Sequence, residues 1–223
     1  MSYEIYCSDC LKVLKEINDE SIDLVLTDPP YLMNYKSNRR VKMKTFEKIK
    51  NDIDSYELIS NYLEECFRIM KNNTSIYCFC SWHHIDFFKQ EFEKYFKLKN
   101  IIVWNKNNHG TGDLKGSYAP KHEFILYGHK GRDLLREKRI PDVIDCSKIP
   151  SKKLTHPTEK PLELLEIFIR QSSDEGDTIL DGFMGTGSTG IACMNTNRNF
   201  IGIELDENYF NLAKERLEKF QTE

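Results

Sequence analysis

The sequence predicts an α/β fold with a mostly parallel central sheet and helices on both faces. Short apolar runs alternate along the chain with longer segments whose apolar residues recur at helical spacing. The short runs are apolar at most positions, which is typical of strands buried on both faces. Strands and helices that alternate in this way favour parallel strands joined by crossover helices.

The first part of the chain contains most of the predicted strands. These strands are Tyr3 to Cys7, Ile22 to Leu26, Ser75 to Cys80, Ile101 to Trp104 and Glu123 to Tyr127. Helical spacing predicts the intervening helices Cys10 to Ile17, Glu57 to Lys71 and His83 to Phe96. Pro29 and Pro30 end the second strand, because proline cannot donate a ladder hydrogen bond.

The last part of the chain predicts helix, strand, turn, helix, strand and helix. The segments are Leu162 to Gln171, Thr178 to Leu180, the glycine-rich turn Asp181 to Gly187, Ser188 to Met194, Phe200 to Glu204 and Asn208 to Phe220. Polar segments with little periodicity lie at about 32–54, 105–120 and 130–155. We therefore expect one domain over residues 1–223, with these segments as insertions.

The composition is that of a globular protein. With 223 residues, 39% of them hydrophobic and 12% aromatic, the chain can bury a sizeable core. It has no apolar run near the roughly 18 residues of a membrane span and no N-terminal signal pattern, so we expect a soluble cytoplasmic protein without membrane partners. The CxxC pair Cys7 and Cys10 has no second pair at zinc-site spacing, so we expect reduced thiols and no metal.

Basic residues are concentrated in one segment, although the net charge of the chain is −3. Residues 34–50 contain one acid, Glu47, against the basic residues Lys36, Arg39, Arg40, Lys42, Lys44, Lys48 and Lys50. Two interpretations stay open: a solvated lysine-rich loop, or a loop that holds phosphate groups next to the motif before it.

Two motifs lie where predicted strands end, which is where an open α/β sheet binds its ligands. Asp28-Pro29-Pro30-Tyr31 follows one strand, and the turn Asp181 to Gly187 follows another and leads into a helix. Gly185 and Gly187 allow the backbone to approach a ligand closely, although a plain tight turn also uses glycine.

Acidic residues near the glycine turn favour a particular kind of ligand. Asp181 ends its strand where a carboxylate can meet an ammonium group. Glu204 ends the following strand and can accept hydrogen bonds from both hydroxyls of a ribose, or it is a solvent-facing acid at a strand end. S-adenosylmethionine carries an ammonium group and a ribose but no phosphate, so it suits this acidic site better than NAD does.

Together the two motifs resemble those of the amino-group DNA methyltransferases. Their order, with the catalytic motif first, is similar to the beta-class permutation of that family. The resemblance covers nearly the whole chain and implies a Rossmann-like S-adenosylmethionine-dependent methyltransferase fold with circularly permuted motifs. It also implies S-adenosyl-L-methionine as the cofactor and double-stranded DNA as the substrate.

The resemblance assigns cofactor-binding roles within the glycine turn. The turn resembles the family's Asp-Pro-Phe-x-Gly-x-Gly motif, with Gly182 in place of the usual proline. Asp181, Gly185 and Gly187 match that motif directly, and Phe183 is placed to cover the cofactor.

Two other segments match cofactor-binding positions of the resembled family. The segment from His156 to Pro161 resembles the one that lines the methionine end, which implies contacts from Thr158 and Lys160. Asp9 matches the acidic position beside the cofactor adenine. As alternatives, Asp9 and Thr158 cap the helices that follow them.

The first motif suits methylation of an exocyclic base amine, which is a poor nucleophile because its lone pair is delocalised into the ring. Two acceptors aimed at the amine hydrogens would favour attack on a methyl group, and Asp28 and the Pro29 carbonyl supply them. Pro29 and Pro30 fix the backbone, and Tyr31 offers a ring to stack on a flipped base. In the resembled family Asp at the first position goes with adenine N6, which we expect here. Cytosine N4, RNA and a non-catalytic DNA-binding relative are the alternatives.

Target recognition in the resembled family uses a variable region between the two motifs. Residues 130–155 carry Arg132, Arg136 and Arg139, which we expect to contact DNA together with Lys36, Arg39, Arg40 and Lys42. Trp104 belongs either to the core or to the base pocket. The available region is short, which favours a short recognition sequence or help from a homodimer partner. A cognate restriction endonuclease is left open.

Overall fold

The computed structural model describes residues 2–31, 55–109, 114–148 and 159–222. The strands in these ranges are β1 (Tyr3–Cys7), β2 (Ile22–Thr27), β3 (Met70–Cys80), β4 (Lys97–Asn105), β5 (His122–Lys130), β6 (Val143–Asp145), β7 (Thr178–Asp181) and β8 (Asn199–Glu204). The α-helices are α1 (Cys10–Glu16), α2 (Ser55–Ile69), α3 (Ile85–Glu93), α4 (Leu162–Ser172), α5 (Ser188–Asn195) and α6 (Glu207–Thr222).

The strands form one sheet in the order β1-β8-β7-β2-β3-β5-β4-β6. Every neighbouring pair is parallel except the two pairs that include β5, which runs antiparallel to both β3 and β4. The prediction of a mostly parallel sheet is therefore confirmed.

Helices cover both faces of the sheet, as predicted. Helices α4, α5 and α6 pack on one face through residues such as Phe168, Ile191 and Leu217. Helices α1, α2 and α3 pack on the other face through residues such as Leu14 and Phe88. Among the helices of the described ranges, none has the length and apolarity needed to cross a membrane.

Strands β2 and β7 are neighbours at the centre of the sheet, although they lie at opposite ends of the chain. Leu24 pairs with Ile179, and Val25 pairs with Leu180. The chain leaves β2 through α2 on one face and leaves β7 through α5 on the other, in opposite directions across the sheet. A reversal of this kind opens a crevice at the carboxyl ends of the two strands.

Three strands differ most from the prediction, and one of them, β4, begins at Lys97, four residues before the predicted Ile101. Strand β3 begins at Met70, five residues before the predicted Ser75, because Met70 pairs with Ile22 of β2. The residues between Met70 and Ser75 are polar and resemble a loop in sequence. Strand β6 was not predicted: its three residues pair with the edge of β4, and among them only Ile144 is buried.

Candidate active site

A cleft of about 250 Å³ opens at the carboxyl ends of β2 and β7. Its lining includes Asp28 and Pro30 from the first motif, and Asp181, Phe183 and Gly185 from the second. Glu204, at the end of β8, and Lys160, just before α4, line the same cleft. The fold therefore brings both predicted motifs to one site.

One end of the cleft, predicted from the sequence to be the catalytic end, is built around the carboxylate of Asp28. The Tyr31 hydroxyl donates to Asp28 Oδ1 at 2.5 Å, and the Lys160 ammonium donates to Oδ2 at 2.6 Å. Burial, followed by the charges of Asp28 and Glu123, raises the pKa of Tyr31 well above its usual range. Tyr31 therefore keeps its proton and acts as a donor to Asp28.

A second carboxylate, Glu123 of β5, lies beside this pair. Its Oε2 lies 3.2 Å from the Lys160 ammonium, and its Oε1 pairs with Lys106 at the end of β4. Burial alone would raise the pKa of Glu123, but Lys160 and Lys106 outweigh it and lower that pKa to about 2. In sequence, Glu123 lies in the segment His122 to Leu126, which resembles a family segment that flanks the base pocket.

Asp181 lines the other end of the cleft, predicted from the sequence to be the cofactor end. Its carboxylate is 3% exposed and accepts hydrogen bonds from the Thr189 hydroxyl at 2.6 Å and from the Phe183 N–H at 3.1 Å. Burial raises the pKa of Asp181 to about 7, and the charges of Asp28 and Glu204 add to the effect. A buried carboxylate with a raised pKa is suited to receive a cationic group.

Glu204 holds the glycine turn in place. Its Oε2 accepts the Gly185 N–H at 2.9 Å, and its Oε1 accepts the Asp206 N–H at 2.8 Å. Gly185 and Gly187 have positive φ values of 53° and 80°, which favour glycine. A Cβ on Gly185 would meet no protein atom within 4 Å, so this glycine faces open space that a ligand can fill.

Gly182 departs from the family pattern for a structural reason. A Cβ at this position would lie 2.3 Å from a ring carbon of Tyr62 on α2. The Gly182 N–H donates to the Tyr62 hydroxyl at 3.2 Å, and that hydroxyl donates to Thr27 at 3.0 Å. Proline would lack this N–H, so glycine and Tyr62 fit each other here. Phe183 packs against the ring of Tyr62 at the cleft wall.

Asp9 and Trp104 take the structural roles given as alternatives. Asp9 caps α1, since its Oδ1 accepts the Leu11 N–H at 2.8 Å. Trp104 is 2% exposed and donates its indole N–H to the Cys146 carbonyl at 2.8 Å, so it belongs to the core. A contact between Asp9 and the cofactor adenine remains a proposal.

Arg216 of α6 is a further residue at this site, and no sequence motif includes it. Its guanidinium donates to the Thr186 carbonyl at 2.7 Å and to Glu159 at 2.7 Å. It thereby ties the glycine turn to the segment before α4.

Of the predicted DNA-contact residues, the structure describes Arg132, Arg136 and Arg139. Lys36, Arg39, Arg40, Lys42 and the cofactor candidate Thr158 lie outside the described residues. The Arg132 N–H bonds to Asn73 near the start of β3, and Arg136 pairs with Asp133 and Asp174. Both arginines therefore lie at the amino ends of the parallel strands, whereas Asp28 lies at the carboxyl ends. They are not among the DNA contacts proposed below.

A separate cavity of about 360 Å³ lies near β4, β6 and α4. Arg139 lines it, together with Asp142 and the stacked rings of Tyr77, Tyr127 and Phe168. This cavity is larger than the cleft but lies away from both motifs, so the chemistry is assigned to the cleft. Arg139 is not placed beside Asp28.

Comparisons with known proteins identify the family. A family profile described as DNA methylase matches residues 22–215. The type II methyltransferase M.HpaI of Haemophilus parainfluenzae is 30% identical over 98% of this chain and 75% of its own length. The chain belongs to the DNA methylase family. The type II methyltransferase M.HinfI of Haemophilus influenzae is 31% identical to this methylase over 96% of the chain and 67% of its own length.

Solved structures agree with the fold of this methylase. The M1.HpyAVI–SAM complex superimposes with a TM-score of 0.73 at 29% identity, covering 96% of this chain and 99% of that one. The cytosine-N4-specific PvuII DNA methyltransferase gives a TM-score of 0.74 at 17% identity, which supports the fold alone. The resemblance to amino-group DNA methyltransferases and the Rossmann-like fold are thus confirmed.

Proposed function

We propose that this methylase transfers a methyl group from S-adenosyl-L-methionine to the N6 amino group of an adenine flipped out of double-stranded DNA. The observation that carries the proposal is that Asp28 and Asp181, on neighbouring strands, line one cleft. A relative named DNA adenine methyltransferase, YhdJ of Escherichia coli, is 29% identical over 94% of this chain and 81% of its own length. That name supports adenine as the target.

The residues of the cleft fit S-adenosylmethionine. Asp181 is a buried carboxylate placed to pair with the ammonium group, and Glu204 ends the next strand, where ribose hydroxyls are bound in such folds. Gly185 leaves open space in the turn between them. When bound, the cofactor supplies an electrophilic methyl group on a sulfonium. Asp181, Glu204, Phe183 and Gly185, which line the cleft, would hold it, whereas Gly187 is not among the lining residues.

The residues of the catalytic motif act on the base. Asp28 and the Pro29 carbonyl accept the two N–H groups of the base amine, which directs its lone pair toward the methyl group. Asp28 also stabilises the positive charge that develops on the nitrogen. Tyr31 stacks on the flipped base, and its hydroxyl releases Asp28 Oδ1 to the amine. The methylated amine then loses its proton to water.

We further propose that the duplex binds along the carboxyl edge of the sheet. The basic residues Lys36, Arg39, Arg40 and Lys42 follow Tyr31 directly, and residues 105–120 connect β4 and β5 at the same edge. These two segments supply phosphate contacts and base readout. A homodimer partner that extends this short surface and a cognate restriction endonuclease belong to the same proposal.

A methylation assay tests the proposed function. The purified protein is incubated with methyl-labelled S-adenosylmethionine and unmethylated genomic duplex DNA, and the digested nucleosides are separated. We expect label in N6-methyladenine. Label in N4-methylcytosine would overturn the target base while keeping the mechanism. If the protein binds S-adenosylmethionine but puts no label into DNA, DNA is not its substrate and that part of the proposal is wrong.

A further inference from the structure

Lys160 is the most completely buried charged side chain at the catalytic end of the cleft. It is 8% exposed, and the resemblance assigned it to the methionine end of the cofactor. Its ammonium instead lies 2.6 Å from Asp28 Oδ2, 3.2 Å from Glu123 Oε2 and 3.3 Å from the Tyr31 hydroxyl. The ring of Phe79 closes the remaining side at 4.8 Å.

The Lys160 ammonium makes two hydrogen bonds, to Asp28 and Tyr31, and an ion pair with Glu123. A lysine ammonium has three N–H groups, and three acceptors surround the one on Lys160. A hydrogen bond to a cofactor carboxylate would therefore require Lys160 to give up one of these partners. We propose that Lys160 is a positioning residue that orients the Asp28 carboxylate, with Glu123 as its counter-ion, and is not a cofactor ligand. This inference rests on the proposed function.

Glu123 is held firmly enough to serve as a counter-ion. Strands β4 and β5 pair in a register that places Glu123 opposite Trp104, and Lys106 N–H bonds to the Lys121 carbonyl beyond it. The Lys106 ammonium pairs with Glu123 Oε1 and lies 4.8 Å above the Trp104 ring. The other oxygen of Glu123 is thereby directed at Lys160. The negative charges of Asp28 and Glu123 are then balanced by the positive charges of Lys160 and Lys106.

The two oxygens of the Asp28 carboxylate have different roles in this arrangement. Lys160 fixes Oδ2, which leaves Oδ1, the oxygen that now accepts from Tyr31, to receive the base amine. Burial lowers the pKa of Lys160, but Asp28 and Glu123 outweigh it, and the net pKa is raised. Lys160 therefore stays protonated and does not act as a base.

Removal of the Lys160 charge would leave acidic groups crowded around Asp28. Among the described residues, the titratable groups that face Asp28 from neighbouring elements are Tyr31, Cys78, Cys80, Glu123, Lys160 and Asp181. Without Lys160, two nearby carboxylates share a partly buried site and compete for a proton. Loss of the positive charge favours protonation of this carboxylate pair, and a proton shared by the pair blocks acceptance of the base amine, so the rate of methyl transfer falls most at low pH.

The test compares Lys160→Met with the double variant Lys160→Met/Glu123→Gln in the full chain. Calorimetry measures S-adenosylmethionine affinity, and single-turnover assays at saturating cofactor measure methyl transfer from about pH 6 to pH 9. We expect Lys160→Met to keep its cofactor affinity within about twofold and to lose about 10- to 100-fold in rate at neutral pH. Its rate profile should shift to higher pH.

The double variant and two controls complete the design. Since Glu123→Gln removes the competing carboxylate, we expect the double variant to be at least about tenfold faster than Lys160→Met at neutral pH. Lys160→Arg keeps the charge, so its pH profile should match the wild type even where its rate is lower. Lys89→Met removes an exposed pair with Glu93 on α3, and it should leave every measurement unchanged.

Three results would count against the proposal. A tenfold or greater loss of cofactor affinity in Lys160→Met, with a wild-type rate at saturation, would make Lys160 a cofactor ligand. A double variant no faster than Lys160→Met would exclude the counter-ion role of Glu123. If Lys160→Met does not fold, the pH profile of Lys160→Arg decides: a shifted profile contradicts the proposal. A wild-type protein that methylates no nucleic acid would instead overturn the proposed function.

Discussion

At the scale of single residues, Asp181 is expected to make the affinity for the cofactor depend on pH. Burial raises the pKa of Asp181 to about 7, so the ionised form is disfavoured in the protein without a cationic partner. A cationic ligand binds the ionised form better, and its affinity therefore falls as the pH drops below about 7. The loss approaches roughly tenfold for each pH unit.

Calorimetric titration with S-adenosylmethionine between about pH 5.5 and pH 7.5 checks this prediction. We expect the affinity of the wild-type protein to rise over that range and the affinity of Asp181→Asn to be weaker and flat. Asp142→Asn, at the separate cavity, is the matched control and should keep the wild-type dependence. A wild-type affinity that does not change with pH would contradict the role of Asp181.

Residues whose roles depend on local sequence were predictable, and those whose roles depend on distant partners were not. Asp28 and Glu204 were placed correctly at strand ends because each follows a clear apolar run. Lys160 lies in a segment that pointed to the cofactor, whereas its ammonium reaches Asp28, which is 132 positions away in the chain. The bridging role of the Tyr62 hydroxyl could not be predicted, because in the sequence Tyr62 is only one of several apolar positions on a helix.

At the scale of elements, helix α2 connects β2, which precedes Asp28, to β7, which precedes the glycine turn. Tyr62 bridges Thr27 of β2 and Gly182 after β7 through one hydroxyl. The substitution Tyr62→Phe leaves the buried Gly182 N–H and the Thr27 hydroxyl without this partner. We expect it to lower the free energy of unfolding by about 1–3 kcal/mol.

Urea unfolding of wild type and Tyr62→Phe measures this loss, with Tyr56→Phe as the matched control. Tyr56 lies on the same helix but is 44% exposed, so removal of its hydroxyl should change stability little. Equal stability of the two variants would show that the Tyr62 bridge does not stabilise the protein.

The limits of element prediction follow from tertiary pairing. Strand β3 starts early because Met70 pairs with Ile22, although the polar residues from Lys71 to Thr74 have no strand pattern. Strand β6 forms because Val103, Trp104 and Asn105 of β4 offer an unpaired edge. Long apolar periodicity, as in α2 and α4, was sufficient by itself because burial of one face decides such helices.

At the scale of the whole molecule, the cofactor is expected to stabilise the fold by mass action. A ligand at one hundred times its dissociation constant adds about 2.7 kcal/mol if it binds the folded state alone. For a chain of 223 residues this raises the Tm by roughly 5–11 °C. Thermal scans with S-adenosylhomocysteine check the shift, and NAD is the control. An equal shift with NAD would contradict the proposed ligand.

The fold as a whole brings Asp28, just after β2, into one cleft with Asp181 of β7, and Asp28 is central to the proposed reaction. The most direct measurement is the single-turnover rate of adenine-N6 methylation by wild type and Asp28→Asn at saturating cofactor. We predict a loss of about 10²- to 10³-fold in the variant, with cofactor affinity within about twofold of wild type. A variant that methylates adenine as fast as the wild type would contradict the assignment of this cleft as the active site.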